Sequence, residues 1–148
     1  MAGPGAPSPR GGSRPTGDAS EIADGVFVGG WADAEGFEGI RICVVEELPT
    51  GPIPAEALLP VYDREHETPH WANLDRLVEL AGEARARGDR VLFFCGHGLR
   101  RGALAGAWYL HRREGVPVAV AFDRVQAVRP RIERPRHWMG DPGELASA

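Results

Sequence analysis

The chain alternates short apolar runs with longer stretches in which apolar residues recur every three to four positions. The short runs predict buried strands, and the longer stretches predict amphipathic helices. Strands are predicted at Val26–Val28, Ile40–Val45, Leu58–Tyr62 and Val91–Phe94. Helices are predicted at 70–87, from Arg101 to Gly115 and from Pro117 to Val128, with one helical turn at 32–37. This order predicts an α/β fold, a three-layer sandwich whose small, mostly parallel central sheet is flanked by helices.

Three parts of the chain differ in composition. Residues 1–20 are rich in Gly, Pro, Ser and charged residues and lack periodicity, which predicts a disordered N-terminal tail. Residues 21–139 hold the predicted strands and helices and are assigned to one domain, and residues 140–148 to a short C-terminal tail. A chain of 148 residues is long enough to bury one such core.

Charge is distributed unevenly along the chain. The net charge is −4, but residues 1–75 hold 4 Arg and 13 Asp or Glu, and residues 76–148 hold 13 Arg and 8 Asp or Glu. The second half is therefore basic, which favours anionic substrates by electrostatic focusing. It lacks the interleaved aromatic residues that stack bases, so we expect no nucleic-acid partner. The sequence contains arginine but no lysine, a bias typical of a GC-rich genome, and we expect a bacterial source.

The sequence also bears on location and redox state. No apolar run reaches the roughly 20 residues that a membrane helix needs, and no apolar signal segment begins the chain, so we expect no membrane partner. Two cysteines, Cys43 and Cys95, are too few for a disulfide framework, which indicates a reducing, cytoplasmic location. Cys43 is interpreted as a small core residue, with a protective disulfide to an oxidised Cys95 as the alternative. We expect a monomer.

One segment has the strongest chemical signal. The strand predicted at Val91–Phe94 leads directly into Cys95, a loop with Gly96 and Gly98 follows, and Arg101 begins the next predicted helix. A loop between a strand end and a helix N-terminus points several backbone N–H groups at one place, which makes an anion site. A thiol at its centre and a guanidinium at its rim describe a nucleophile that faces a bound oxyanion. Such surroundings lower the pKa of a thiol from about 8.5 and make it more reactive.

The spacing Cys95-x-x-Gly98-x-x-Arg101 resembles the phosphate-binding loop of the cysteine-dependent protein tyrosine phosphatases, in particular the dual-specificity branch. Ile22–Gly30 resembles that family's opening strand and turn, and Val128-Arg129-Pro130 resembles the segment behind its loop. The resemblance covers the domain assigned above and implies a phosphatase catalytic domain. It implies hydrolysis of phosphate monoesters through a phosphocysteine intermediate, without a cofactor. The implied substrate is phosphotyrosine in a protein, with phosphoserine or phosphothreonine as further candidates.

The resemblance also implies roles for individual residues. Cys95 attacks phosphorus, and the planar fork of Arg101 holds two phosphoryl oxygens. Asp63 lies 32 positions before Cys95, close to the family's general-acid spacing, and is expected to protonate the leaving oxygen and then to activate water. Glu65 and Glu67 lie in the same segment and are the alternatives for this role. The phosphate-binding loop is expected to comprise Gly96, His97, Gly98, Leu99, Arg100 and Gly102.

Two residues depart from the family's pattern. The residue before the cysteine is usually a histidine that helps to fix the loop, and here it is Phe94. The residue after the arginine is usually a serine or threonine whose hydroxyl supports the thiolate as a leaving group, and here it is Gly102. Both departures predict slow turnover. They leave open a phospho-binding module of the same fold without turnover, and phosphoinositides or other small phosphate esters also remain candidate substrates.

Other functions fit the residues less well. A rhodanese-type sulfurtransferase also places a cysteine in an anion-binding loop, but it gives Asp63 no role. The spaced glycines of the loop superficially resemble a dinucleotide fingerprint, but the 25 residues after Asp123 cannot supply the second half of such a fold. The histidines and cysteines lack paired ligand spacing, so we expect no metal and an activity that EDTA leaves intact.

Overall fold

The computed structural model describes residues 18–46, 51–62 and 68–135. Their elements, in chain order, are β1 (Ser20–Ala23), β2 (Val26–Gly30), α1 (Trp31–Gly36), β3 (Ile40–Cys43), β4 (Ala57–Leu58), α2 (Trp71–Ala86), β5 (Val91–Cys95), α3 (Arg101–Glu114) and α4 (Val118–Val128). The strands form one sheet in the order β1-β2-β5-β3-β4. β2, β5, β3 and β4 run parallel, and β1 pairs antiparallel with β2. The predicted α/β class with a mostly parallel sheet is therefore confirmed.

The central strand β5 separates two cores. Val91, Phe93 and Cys95 face the larger core, which the helices α2, α3 and α4 cover. Leu92 and Phe94 face a smaller core beneath α1. Because both faces of β5 are covered, its five residues are all buried and read as one continuous apolar run. The helices on the two faces make the predicted three-layer sandwich.

The largest difference from prediction lies near the edge of the sheet. The strand predicted over Leu58–Tyr62 is shorter and shifted, because β4 ends at Leu58 and Tyr62 makes an isolated bridge with Pro69. Leu59 N and Val61 N still donate to the carbonyls of Cys43 and Val44, but two residues advance here against one of β3, so the regular parallel register ends at Leu58. β1 begins at Ser20, the last residue of the predicted tail, while residues 1–17 and 136–148 lie outside the described residues.

Candidate active site

Cys95 is the last residue of the central strand β5, and Arg101 is the first residue of α3. The carboxyl end of a central parallel strand is where ligands bind in open α/β sheets. Cys95 is 4% exposed, so its thiol lies at the bottom of the site rather than on the surface. The sheet thus places the predicted nucleophile between a strand end and a helix N-terminus, as the sequence pattern indicated.

Backbone N–H groups of the loop point at the thiol. Gly98 N donates to Cys95 Sγ at 3.1 Å, and Gly102 N donates to the same sulfur at 3.4 Å. Two aligned N–H dipoles stabilise negative charge on the sulfur. α3 lies wholly within the described residues, and its first turn has neither a capping side chain nor an acidic residue. Its N-terminus is therefore suited to an external anion.

The loop carbonyls are held from the opposite side. Four consecutive carbonyl oxygens accept hydrogen bonds: Gly96 O from Trp31 N at 3.1 Å, His97 O from Arg129 Nη2 at 2.8 Å, Gly98 O from Arg129 Nε at 2.9 Å, and Leu99 O from Glu133 N at 2.6 Å. A trans peptide points its C=O and the following N–H in opposite directions. The N–H groups of residues 97–100 are therefore turned inward and line a concave inner side of the loop, and that this side binds an anion stays a prediction.

Gly98 is required by this geometry. Its φ is +69°, in the left-handed region that side chains disfavour. A Cβ at this position would also lie 2.4 Å from the backbone oxygen of Gly29, at the end of β2. The loop can therefore pack against β2 only with glycine at position 98.

Arg101 is held by a carboxylate that the sequence analysis missed. Its Nε and Nη2 donate to the two carboxylate oxygens of Glu46, the Nη2 contact being 2.8 Å long. Burial of the Glu46 carboxyl is the largest single effect and opposes ionisation. The hydrogen bonds from Arg101, a backbone hydrogen bond and the positive charges of Arg101 and Arg100 together exceed it, so the pKa of Glu46 lies below its usual value. Glu46 lies three residues beyond β3, the strand beside β5. An acidic residue just after a buried strand was the signal that could have found it.

The chain is similar in sequence to known phosphatases. Over 128 residues the chain is 31% identical to human dual specificity phosphatase 28, an alignment that covers 79% of this chain and 72% of that protein. The chain belongs to the dual-specificity phosphatase family. Mouse protein phosphatase Slingshot homolog 3 is 38% identical over 79 residues, which are 52% of this chain but 12% of that protein. No protein-family model matches the chain.

The solved structures agree with this assignment at the level of fold. A mouse putative dual specificity phosphatase, crystallised with zinc tungstate, has a TM-score of 0.72 and 23% identity, with 94% of this chain and 93% of that chain covered. The predicted dual-specificity phosphatase-like fold is therefore confirmed. These relatives are mammalian, so a bacterial source stays a prediction.

The two departures from the family's pattern have different structural surroundings. Phe94 is fully buried in the smaller core, with its ring 5.4 Å from that of Trp31 and on the face of β5 opposite to the thiol. Gly102 lies beside the thiol, and a Cβ there would be 3.7 Å from Cys95 Sγ. In this dual-specificity phosphatase, therefore, Phe94 contributes to packing, while Gly102 leaves a place beside the sulfur without a hydroxyl.

The remaining predicted residues have different outcomes. Asp63, Glu65 and Glu67 lie outside the described residues, so the general acid stays a prediction. Cys43 is fully buried beside Phe94 in the smaller core, on the face of the sheet opposite to Cys95. Burial raises the pKa of the Cys43 thiol, as expected for an inert core cysteine.

Arg100 approaches an aromatic side chain at the rim of the site. Its guanidinium lies over the ring of the buried Tyr62, 5.2 Å from the ring centroid, and that of Arg101 lies 5.9 Å from the same centroid.

In the ranges that the structure describes, no group of three or more His, Cys, Asp and Glu residues could hold a metal ion. Within the same ranges, no helix is long and apolar enough to cross a membrane.

Proposed function

We propose that this member of the dual-specificity phosphatase family hydrolyses phosphate monoesters, preferably phosphotyrosine and then phosphoserine or phosphothreonine in proteins. One observation supports the proposal best. The sulfur of Cys95 accepts hydrogen bonds from the N–H groups of Gly98 and Gly102, at the inner side of a loop whose carbonyls face outward. Such a loop binds three phosphoryl oxygens and directs phosphorus to the sulfur.

The proposed reaction has two displacements at phosphorus. In the first, the thiolate of Cys95 forms an S–P bond while the bond to the ester oxygen breaks, and the carboxyl of Asp63 gives its proton to that oxygen. In the second, the Asp63 carboxylate takes a proton from water as the water oxygen bonds to phosphorus. The S–P bond breaks, its electron pair returns to sulfur as thiolate, and inorganic phosphate leaves. General acid–base catalysis of this kind contributes about 10²–10⁴-fold.

Arg101 supplies the positive charge for both displacements. Its charge and that of the Cys95 thiolate attract one another, which helps to raise the pKa of Arg101 after the larger effect of its hydrogen bonds to Glu46. Glu46 orients the guanidinium before substrate arrives, because two parallel hydrogen bonds fix its plane. A fixed plane lowers the reorganisation needed to bind the equatorial oxygens of the transition state.

The surroundings of the loop favour a substrate with flanking groups. A cavity of about 550 Å³ beside the loop is lined by Asp18 and Ser20, by His97 and Leu99, and by residues 128–131. His97 and Arg131 are exposed there. This space has room for a residue next to a phosphorylated side chain in a protein, and because its lining carries both Asp18 and Arg131 it sets no preference for the charge of that residue.

The direct test is hydrolysis of para-nitrophenyl phosphate and of a phosphotyrosine peptide in the presence of EDTA. Wild type is expected to turn over, Cys95→Ser to be inactive, and Cys43→Ser, the matched cysteine control, to keep its activity. Asp63→Asn is expected to lose about 10²-fold or more, while Glu65→Gln and Glu67→Gln change little. Activity in Cys95→Ser would refute the mechanism, and a loss confined to a glutamate variant would move the general acid to that residue.

A second candidate function follows from Gly102, which lacks the hydroxyl that the family places beside the thiolate. Without turnover, the same loop would serve as a phospho-binding module. Tungstate binding by a wild-type protein that hydrolyses neither substrate would establish this alternative. A phosphoinositide hydrolysed much faster than the peptide would instead place the chain among phosphatases of small phosphate esters.

A further inference from the structure

We infer that Arg129 is a positioning residue for the phosphate-binding loop, which it orients by holding two consecutive loop carbonyls from behind. The inference deepens the proposed function, since it concerns the same anion site. Arg129 follows the last residue of α4 and is 31 residues away from Gly98 along the chain. Its hydrogen bonds reach the loop through the carbonyl oxygens of His97 and Gly98, so its effect on the thiol passes through the backbone.

One peptide plane shows how this works. The carbonyl of His97 accepts a hydrogen bond from Arg129 Nη2 at 2.8 Å, and the N–H of the same peptide belongs to Gly98 and donates to Cys95 Sγ at 3.1 Å. Arg129 and the thiol therefore hold the two opposite ends of one peptide dipole. If this peptide rotated by half a turn, a carbonyl oxygen would face the thiolate and the bound oxyanion, which electrostatics disfavours.

The next peptide is held in the same way. Gly98 O accepts from Arg129 Nε at 2.9 Å, so the N–H of Leu99 turns inward as well. A cation that binds the carbonyl end of a peptide also polarises its N–H and makes it a stronger donor to an anion. The carbonyls on either side are held by backbone N–H groups of Trp31 and Glu133, which carry no net charge.

The remaining nitrogen of the guanidinium is also engaged. Arg129 Nη1 donates to Ser20 Oγ at 3.0 Å and to the backbone oxygen of Asp18. All three nitrogens therefore donate to protein acceptors, which leaves Arg129 poorly placed to bind a substrate anion itself. Arg129 therefore links β1 to the loop through its hydrogen bonds to Ser20 and to the two loop carbonyls.

The test measures oxyanion binding and thiol reactivity in Arg129→Met and Arg129→Lys. Two variants serve as controls. Arg124→Met removes an arginine of α4 that pairs with Glu114. Ser20→Ala removes one hydrogen bond of Arg129 and leaves its hydrogen bonds to the loop carbonyls in place. Tungstate affinity is measured by calorimetry. The rate at which iodoacetamide alkylates Cys95 is measured at about pH 6 and at about pH 9. The rate at the lower pH divided by the rate at the higher pH, the alkylation ratio, is larger when the thiolate is stabilised.

Arg129→Met is expected to weaken tungstate binding about 10-fold or more, because two hydrogen bonds from a charged group are lost. Its alkylation ratio is expected to fall as well. Arg129→Lys is expected to lie between Arg129→Met and wild type, since a lysine can restore the charge but not both bonds. Both controls are expected to stay within about twofold of wild type, as single surface contacts contribute little.

Wild-type binding and reactivity in a folded Arg129→Met would overturn the inference, and so would loss of the fold in both Arg129 variants, because Arg129 would then be a general structural residue. Neither readout requires turnover. Weak tungstate binding by Arg129→Met beside a wild type that hydrolyses nothing would support the inference and refute the proposed function. A wild type that hydrolyses the substrates, together with unimpaired tungstate binding by Arg129→Met, would support the proposed function and refute the inference.

Discussion

Replacing Gly102 by serine is expected to speed the breakdown of the phosphocysteine intermediate. A Cβ at position 102 would lie 3.7 Å from Cys95 Sγ, an ordinary van der Waals distance, and 3.2 Å from Cγ1 of Val28. A hydroxyl one bond beyond that Cβ can reach hydrogen-bond distance of the sulfur. The closer contact requires the fully buried Val28 side chain to move by a few tenths of an ångström, which in a packed core costs about 1–3 kcal/mol of stability.

The size of the effect follows from the charge on the leaving sulfur. A hydrogen bond to a charged group contributes about 1.5–3 kcal/mol, and about 1.4 kcal/mol lowers a barrier enough for a tenfold faster rate. Gly102→Ser is therefore expected to raise the rate of the second displacement about 10- to 100-fold. Gly102→Ala makes the same contact with Val28 and removes the same glycine from α3, but it has no hydroxyl. It is the matched control.

Rapid mixing with para-nitrophenyl phosphate separates the two displacements. In wild type we expect a burst of nitrophenolate, equal to the enzyme concentration, before a slow steady state, because the intermediate accumulates. Gly102→Ser should shrink the burst and raise the steady-state rate, whereas Gly102→Ala should keep both close to wild type. A serine variant no faster than the alanine variant would refute the reasoning.

Three further predictions concern the loop, the ion pair and the second cysteine. Gly98→Ala is expected to lower the free energy of unfolding by roughly 2 kcal/mol and to abolish tungstate binding, measured by denaturation and calorimetry, because φ is +69° and the new Cβ meets backbone. Retained binding would contradict this. The ion pair with Arg101 lowers the pKa of Glu46 in the folded state. It therefore stabilises the fold fully above the pKa of the unfolded carboxyl, about 4.3. This stabilisation is lost as the pH falls through the lower pKa of the folded state. Wild type should thus be more stable than Glu46→Gln by about 1–2 kcal/mol near neutral pH, with the gap closing towards about pH 3; a constant gap between their denaturation curves would argue against the pair. After mild peroxide, mass spectrometry is expected to find no disulfide between Cys43 and Cys95, whose side chains lie on opposite faces of the sheet, and a linked peptide would show that the strands can rearrange.

The sequence predicts the centre of the molecule better than its periphery. Three local signals mark the centre. The run Val91–Cys95 is continuous because both faces of β5 are covered. The glycine at position 98 is fixed by its positive φ, and the apolar spacing after Arg101 follows from the buried face of α3. The signal for the short edge strand β4 is weaker: its apolar run suggests a strand that reaches Tyr62, whereas the regular register with β3 ends at Leu58. A run of apolar residues in the sequence does not show which of its backbone N–H groups have a hydrogen-bond partner in the sheet.

The contacts that complete the site come from positions distant in sequence. In the sequence, Arg129 belongs to a segment that resembles the one behind the family's loop, and Glu46 is one of several acidic residues after a strand. The position of Glu46 just after a buried strand marks it as a candidate, but the sequence does not show which residue Glu46 or Arg129 pairs with. Their partners are set by the parallel crossovers of the sheet, which bring the ends of β3 and α4 to the loop. Such partners require the tertiary structure.

The outward carbonyls of the loop have a consequence for the order of folding. Their donors come from Trp31 before the loop, and from Arg129 and Glu133 more than 30 residues after Gly96. During synthesis, β2 and β5 can therefore pair well before the ribosome has delivered the residues that shape the anion site. On the inference that Arg129 positions the loop, the surroundings of Cys95 reach their final geometry only after α4 has docked, which is among the last steps of folding.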